Sequence, residues 1–105
     1  MRAIYLFAEV LFYSGQRSRL PANGYRPDAV FYPQKEHWGS TFAELPIETF
    51  DALTPAAIKF TFQDSHYKDV VPGQALAIME GPHQVGEGKV IAIEHEDLME
   101  KGTEL

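Results

Sequence analysis

The chain has 105 residues, 45% of them hydrophobic and 12% aromatic, which is enough for one ordinary core and argues against disorder throughout. It has no cysteine, so disulfides, thiolate zinc sites and thiol catalysis are excluded, as suits a reducing compartment. The net charge is −6, and residues 94–105 account for most of it with five acidic residues against Lys101, a net of −4; strong nonspecific binding of nucleic acid would need a larger positive field.

Residues 3–13 are apolar at alternate positions on both faces apart from Glu9, which predicts a long strand buried on much of both faces. The N-terminal apolar stretch is interrupted by Glu9 and lacks a small-residue cleavage site, so no signal peptide is expected. Residues 14–24 read as a loop, marked by Gly15, Pro21 and the pair Asn23-Gly24. Residues 10–27 hold no acid and carry Arg17, Arg19 and Arg26, a locally basic segment in a near-neutral body. Residues 25–32 form a second strand, with Pro27 near its start, where a missing N–H is tolerated. Residues 33–39 look like a turn, and residues 40–45 are a short strand closed by Pro46. Residues 47–55 are irregular, with room for a brief helical turn.

The cleanest signal is at residues 57–63, where Ile58, Phe60 and Phe62 alternate with Lys59, Thr61 and Gln63. Period two puts the apolar set toward a core and the polar set in water. Val70-Val71-Pro72-Gly73 approaches a turn, residues 75–79 are a fifth strand ended by Gly81-Pro82, and residues 85–94 are a sixth. Gly86 and Gly88 at its entry mark a bulge or a close backbone approach. Six short strands between Gly and Pro turns, without a long amphipathic helix, indicate an all-β barrel or sandwich over residues 1–95. Residues 96–105 read as an acidic, flexible tail. No apolar run approaches the roughly 20 residues of a membrane helix, so a cytoplasmic protein without membrane contact is expected.

Motifs for chemistry are scarce. There is no Gly-x-x-x-x-Gly-Lys-Ser/Thr phosphate loop, and Gly86-Glu87-Gly88-Lys89 lacks its spacing, so GTP binding of the usual kind is not expected. His37, His66, His83 and His95 show no paired ligand spacing, and no serine lies in a Gly-x-Ser-x-Gly elbow, so neither a metal nor a cofactor is expected. Asp64 and Asp69 flank a turn and read as solvated loop charge before they read as a cation site. Trp38, with His37 and Tyr32, reads as core or rim packing before it reads as an exposed aromatic patch.

Three segments resemble the C-terminal β-barrel (domain 3) of the elongation factor Tu family. Phe7-Ala8-Glu9-Val10 resembles its opening strand. Gly15-Gln16-Arg17 followed by Asn23-Gly24-Tyr25-Arg26-Pro27 resembles its Gly-Gly-Arg loop and Tyr-Arg-Pro turn at the same spacing. Pro72-Gly73 through Ala77-Ile78-Met79-Glu80-Gly81, then Val85-Gly86-Glu87-Gly88-Lys89-Val90, resembles its closing hairpin. The middle, residues 36–57, does not align with the family.

The resemblance implies a six-stranded antiparallel closed β-barrel, standing without the family's GTPase domain and acting as a noncatalytic binding module. It also implies that Arg17, Glu80 and Gly81 occupy positions at which the family meets the T-stem backbone of transfer RNA. With Arg19 and Arg26 they form the candidate surface for a protein or RNA partner. Asp28 stands where the family has a Gln after Tyr-Arg-Pro, and it would repel phosphate. Ser18 replaces a His and Gln16 replaces the second Gly of the loop. A protein partner is therefore expected ahead of weak binding to a transfer-RNA-like duplex. The alternative is a small enzyme whose site is assembled by the fold around His37, His66 or Asp64.

Overall fold

The computed structural model describes residues 4–32, 35, 37–60 and 70–95. The residues contribute six strands: β1 (Ile4–Phe12), β2 (Asp28–Phe31), β3 (His37–Glu44), β4 (Thr54–Phe60), β5 (Ala75–Glu80) and β6 (His83–His95). All neighbours are antiparallel, in the order β1-β4-β3-β2-β5-β6, and β6 returns to pair with β1. The expected closed six-stranded antiparallel barrel is the fold, and closure gives each of the six described strands a neighbour on both sides.

Alternation sets the inside. Leu6, Ala8, Val10 and Phe12 of β1 point inward, as do Trp38, Ser40 and Phe42 of β3, Ile58 and Phe60 of β4, and Leu76 and Ile78 of β5. Two aromatic triads fill the barrel. Phe12, Tyr25 and Phe42 stand with ring centroids 5.6–6.2 Å apart toward the C-terminal end of β1. Phe31, Trp38 and Phe60 stand 5.3–5.6 Å apart toward the other end. These edge-to-face and tilted contacts add about 0.5–1.5 kcal/mol per pair beyond the burial itself.

The structure departs from the sequence reading at several places. β1 is not buried on both faces: Phe7 is 36% exposed, Glu9 is exposed and Tyr5 and Leu11 are half-buried. Residues 37–39 are strand rather than turn, because Trp38 turns inward to pack between Phe31 and Phe60, which outweighs the local signal of Gly39. β4 starts at Thr54 and takes in Pro55, which lies opposite Glu9 near the strand's start. Residues 49–52 form a turn, not a helical one, with Asp51 at φ 64°. It is held by Asp51 N–H donating to the Phe12 carbonyl at 2.7 Å and Ser14 N–H donating to Asp51 Oδ1 at 3.1 Å. Tyr25 joins the sheet only through a bridge to Phe42, and β2 begins three residues later. Val70, placed in a turn approach, is a core residue. Residues 61–63, Asp64, His66, Asp69 and the acidic tail lie outside the described residues.

The closing hairpin carries the tightest constraint. A Cβ on Gly86 would stand 2.5 Å from the Leu11 carbonyl oxygen, and one on Gly88 would stand 2.7 Å from that of Glu9. Both obstacles are backbone of β1, which cannot swing away as a side chain can. Gly86→Ala is therefore expected to cost about 1–3 kcal/mol, the usual penalty of overpacking a filled interior. Urea denaturation checks this, and an unchanged midpoint would show that β6 does not approach β1 this closely.

Candidate partner-binding surfaces

The residues singled out by the sequence gather at the end of the barrel where the loop after β1 meets the β5–β6 hairpin. Arg17 Nε donates to Glu80 Oε2 at 2.7 Å, and another guanidinium nitrogen donates to the Arg19 carbonyl at 2.6 Å. The guanidinium lies 4.9 Å from the centroid of the Tyr25 ring, and the Tyr25 hydroxyl donates to the same Glu80 oxygen. Tyr25 spans the rim: its ring packs inward on Phe12 and Phe42 while its hydroxyl meets a polar partner.

The five candidate residues divide by role. Arg17 and Glu80 are half-buried and neutralise each other. Such a partly exposed pair contributes about 0–1 kcal/mol, and the stacking on Tyr25 adds a similar amount. Arg19, Arg26 and Gly81 are exposed, with Gly81 in the left-handed region at φ 60°. Among the described residues Arg26 forms no ion pair, and the arginine that meets a carboxylate is Arg17. Gln16, Arg17, Ser18, Arg19 and Glu80 line an open depression of about 240 Å³. Its one carboxylate accepts from both Arg17 and Tyr25, so the charge facing solvent there comes from Arg19.

Of the residues weighed for catalysis, His66 and Asp64 lie outside the described residues. His37 Nδ1 lies 3.4 Å from Asp28 Oδ2, with both side chains nearly half exposed on adjoining strands. His83 is exposed on the β5–β6 hairpin. Among the described residues, no group of three His, Asp or Glu side chains could hold a metal ion. No helix of the described residues is long and apolar enough to cross a membrane.

A second surface was not anticipated. On the outer wall of β1, β4 and β3, a groove of about 310 Å³ is lined by Phe7, Ala8, Ala56, Ala57, Pro46, Pro55 and Ile91, with Glu9 and Glu44 as its charged members. An adjoining hollow of about 260 Å³ shares Phe7, Glu44 and Ala57 and adds Tyr5 and Ala43. Phe7 and Ile91 expose 36% and 50% of their surface. The signal was present in the sequence as the doubly apolar pattern of β1, which was assigned to burial on both sides. A strand in a closed single-layer barrel has only one interior face, so its second apolar set must meet solvent, a neighbouring loop or a partner.

The fold and these two surfaces define a small closed β-barrel with one charge-compensated rim and one apolar outer wall. No protein-family model matches the chain, and a search of curated proteins finds no match.

Two tyrosines report on the rim. Burial, then the hydrogen bond to Glu80, holds the Tyr25 hydroxyl far above the ordinary phenol range. Partial burial and the bond to Glu87 push Tyr13 up to about 12. A raised value means that the folded state keeps the proton more tightly than the unfolded chain. The stabilisation is complete below the unfolded value of about 10 and is lost as pH rises through the folded one. Absorbance titration at alkaline pH is expected to show late-ionising phenol absorbance that Tyr25→Phe and Tyr13→Phe each reduce. Late absorbance left unchanged by Tyr25→Phe would contradict the Tyr25–Glu80 bond.

Proposed function

We propose that this chain is a noncatalytic binding module of the elongation factor Tu C-terminal barrel type, and that it holds a protein partner. The observation that carries the reading is the apolar outer groove with Phe7 and Ile91 standing in solvent. Clustered apolar surface of this kind on a small domain marks an interaction site more often than isolated exposed residues do. The resemblance of the β1, Tyr-Arg-Pro and closing-hairpin segments to that family supports the barrel's use as a docking body, not a reaction vessel. Two aromatic triads pack inside the barrel.

RNA is the second reading, favoured by the exposure of Arg19 and Arg26 in a segment without acids. It is the weaker one because Arg17 already spends its charge on Glu80. Two uncompensated arginines would bind phosphates with a shallow dependence on salt. Affinity capture with the intact chain, with and without nuclease, separates the two. The expected result is a protein retained in near-stoichiometric amount that survives nuclease, with no shift of labelled transfer RNA in low salt. Retention that disappears with nuclease, together with transfer-RNA binding weakened by Arg19→Ala, would replace the protein reading with the RNA one.

A further inference from the structure

We propose that the groove on the outer wall of β1, β4 and β3 receives an apolar side chain of the partner protein, and that basic residues flanking this anchor pair with Glu9 and Glu44. The inference rests on the reading that the chain holds a protein, and it adds the location and the chemistry of the contact.

The groove is shaped by irregularities in the ladders on both of its sides. In the β1–β6 ladder, Phe7 lies opposite Ala92 and Ala8 opposite Val90, so Ile91 is an extra residue, and it stands beside Phe7 in solvent. In the β3–β4 ladder, Phe42 lies opposite Ile58 and Glu44 opposite Ala57, so Ala43 is extra. Phe7 itself lies opposite Ala57. The row Ala92–Phe7–Ala57–Glu44 therefore crosses three adjacent ladders with a bulge at each end. Bulges bend a strand and re-aim its side chains, and they recur beside functional sites. Here they open the wall on either side of one exposed phenylalanine, whose neighbour across the ladder is only an alanine.

The lining decides the occupant's chemistry. A closed barrel has no free edge, so a partner cannot add a strand and must enter with side chains. Pro46 and Pro55 contribute no N–H. The charged groups in the lining are the Glu9 and Glu44 carboxylates, which only accept hydrogen bonds. Both are exposed, and among the described residues neither forms an ion pair. Lys89 is Glu9's register partner on β6, outside the lining. Lys59 lies 5.4 Å from the Tyr5 ring centroid at the far end of the adjoining hollow. An apolar floor with two acceptor-only anions fits an aromatic or branched aliphatic residue next to Lys or Arg. It disfavours an acidic segment or a nucleic acid backbone. Tyr5, Phe7 and Glu9 follow one another on the outer face, a run of about 13 Å at the usual rise per residue, long enough for a short segment and not just one side chain.

The test is selection of a random-peptide display library on the intact chain, followed by affinity measurement of the recovered peptides against variants. Recovered peptides should share an aromatic or aliphatic residue with Lys or Arg close by. Phe7→Ser should weaken them by about tenfold or more, as loss of an interface anchor does. The double variant Glu9→Gln/Glu44→Gln should weaken them by about threefold to tenfold and flatten their salt dependence. Both variants alter exposed side chains, and unchanged urea midpoints would show that the barrel is intact. Failure to enrich any peptide, or peptides that bind Phe7→Ser as tightly as the parent, would overturn the proposal. If affinity capture still retains a protein on Phe7→Ser, the module reading stands and the groove alone is removed from it. A dimer in sedimentation that Phe7→Ser dissociates would give the groove to a second copy and also overturn the proposal.

Discussion

The whole arrangement depends on how closely β6 can lie against β1. Closing six short strands into a cylinder brings the first and last strands together, and here the contact leaves no room for a Cβ at Gly86 or Gly88. Those two glycines let the Leu11 and Glu9 carbonyls approach the neighbouring backbone. With the ring closed, each strand has one dry face and one wet face, and neither edge of the sheet remains available. Everything else about the molecule's surface follows from that division.

The dry side carries the hydrophobic core. Phe12, Tyr25 and Phe42 pack one end and Phe31, Trp38 and Phe60 the other, with aliphatic residues of β1, β2, β4, β5 and β6 around them. Tyr25 links this core to the rim, because its hydroxyl ends on Glu80, which also holds Arg17. The arginine of the loop is thus fastened to the closing hairpin, and the rim reads as a structural latch that leaves Arg19 and Arg26 exposed. The wet side is where the barrel can meet another molecule, and the outer wall around Phe7 and Ile91 is an apolar part of it.

The fold was legible because its signals are local and repeated. Ile58 and Phe60 against Lys59 gave the clearest alternation, and the structure buries the first two. The glycine pair in β6 announced a close backbone approach, and the structure supplies the carbonyls that require it. Three features were not readable. The strand character of residues 37–39 depends on Trp38 meeting Phe31 and Phe60, a contact between segments far apart in sequence. The Arg17–Glu80 pair joins residues separated by 63 positions, and nothing local distinguishes Arg17 from Arg26 as its donor. The groove escaped notice because a doubly apolar strand looks the same whether its second face is covered by protein or left for a partner. The two bulges that shape it are register shifts, and register belongs to the pairing of strands and not to either strand by itself.

The closed ring with Phe7 on its outer wall is the claim on which the rest stands, and solution NMR of the intact chain tests it most directly. Backbone protons of β1 should show cross-strand Overhauser contacts to both neighbours, Leu6 to Ile58 and to Ile93, and Val10 to Thr54 and to Gly88. The Phe7 ring should contact Ile91 and Pro55 while staying apart from Phe42 and Ile78. Contacts from β1 to β4 alone, with its other edge unprotected against hydrogen exchange, would show an open sheet. A Phe7 ring among the core aromatics would show that the strand faces the other way, and either result would contradict this account.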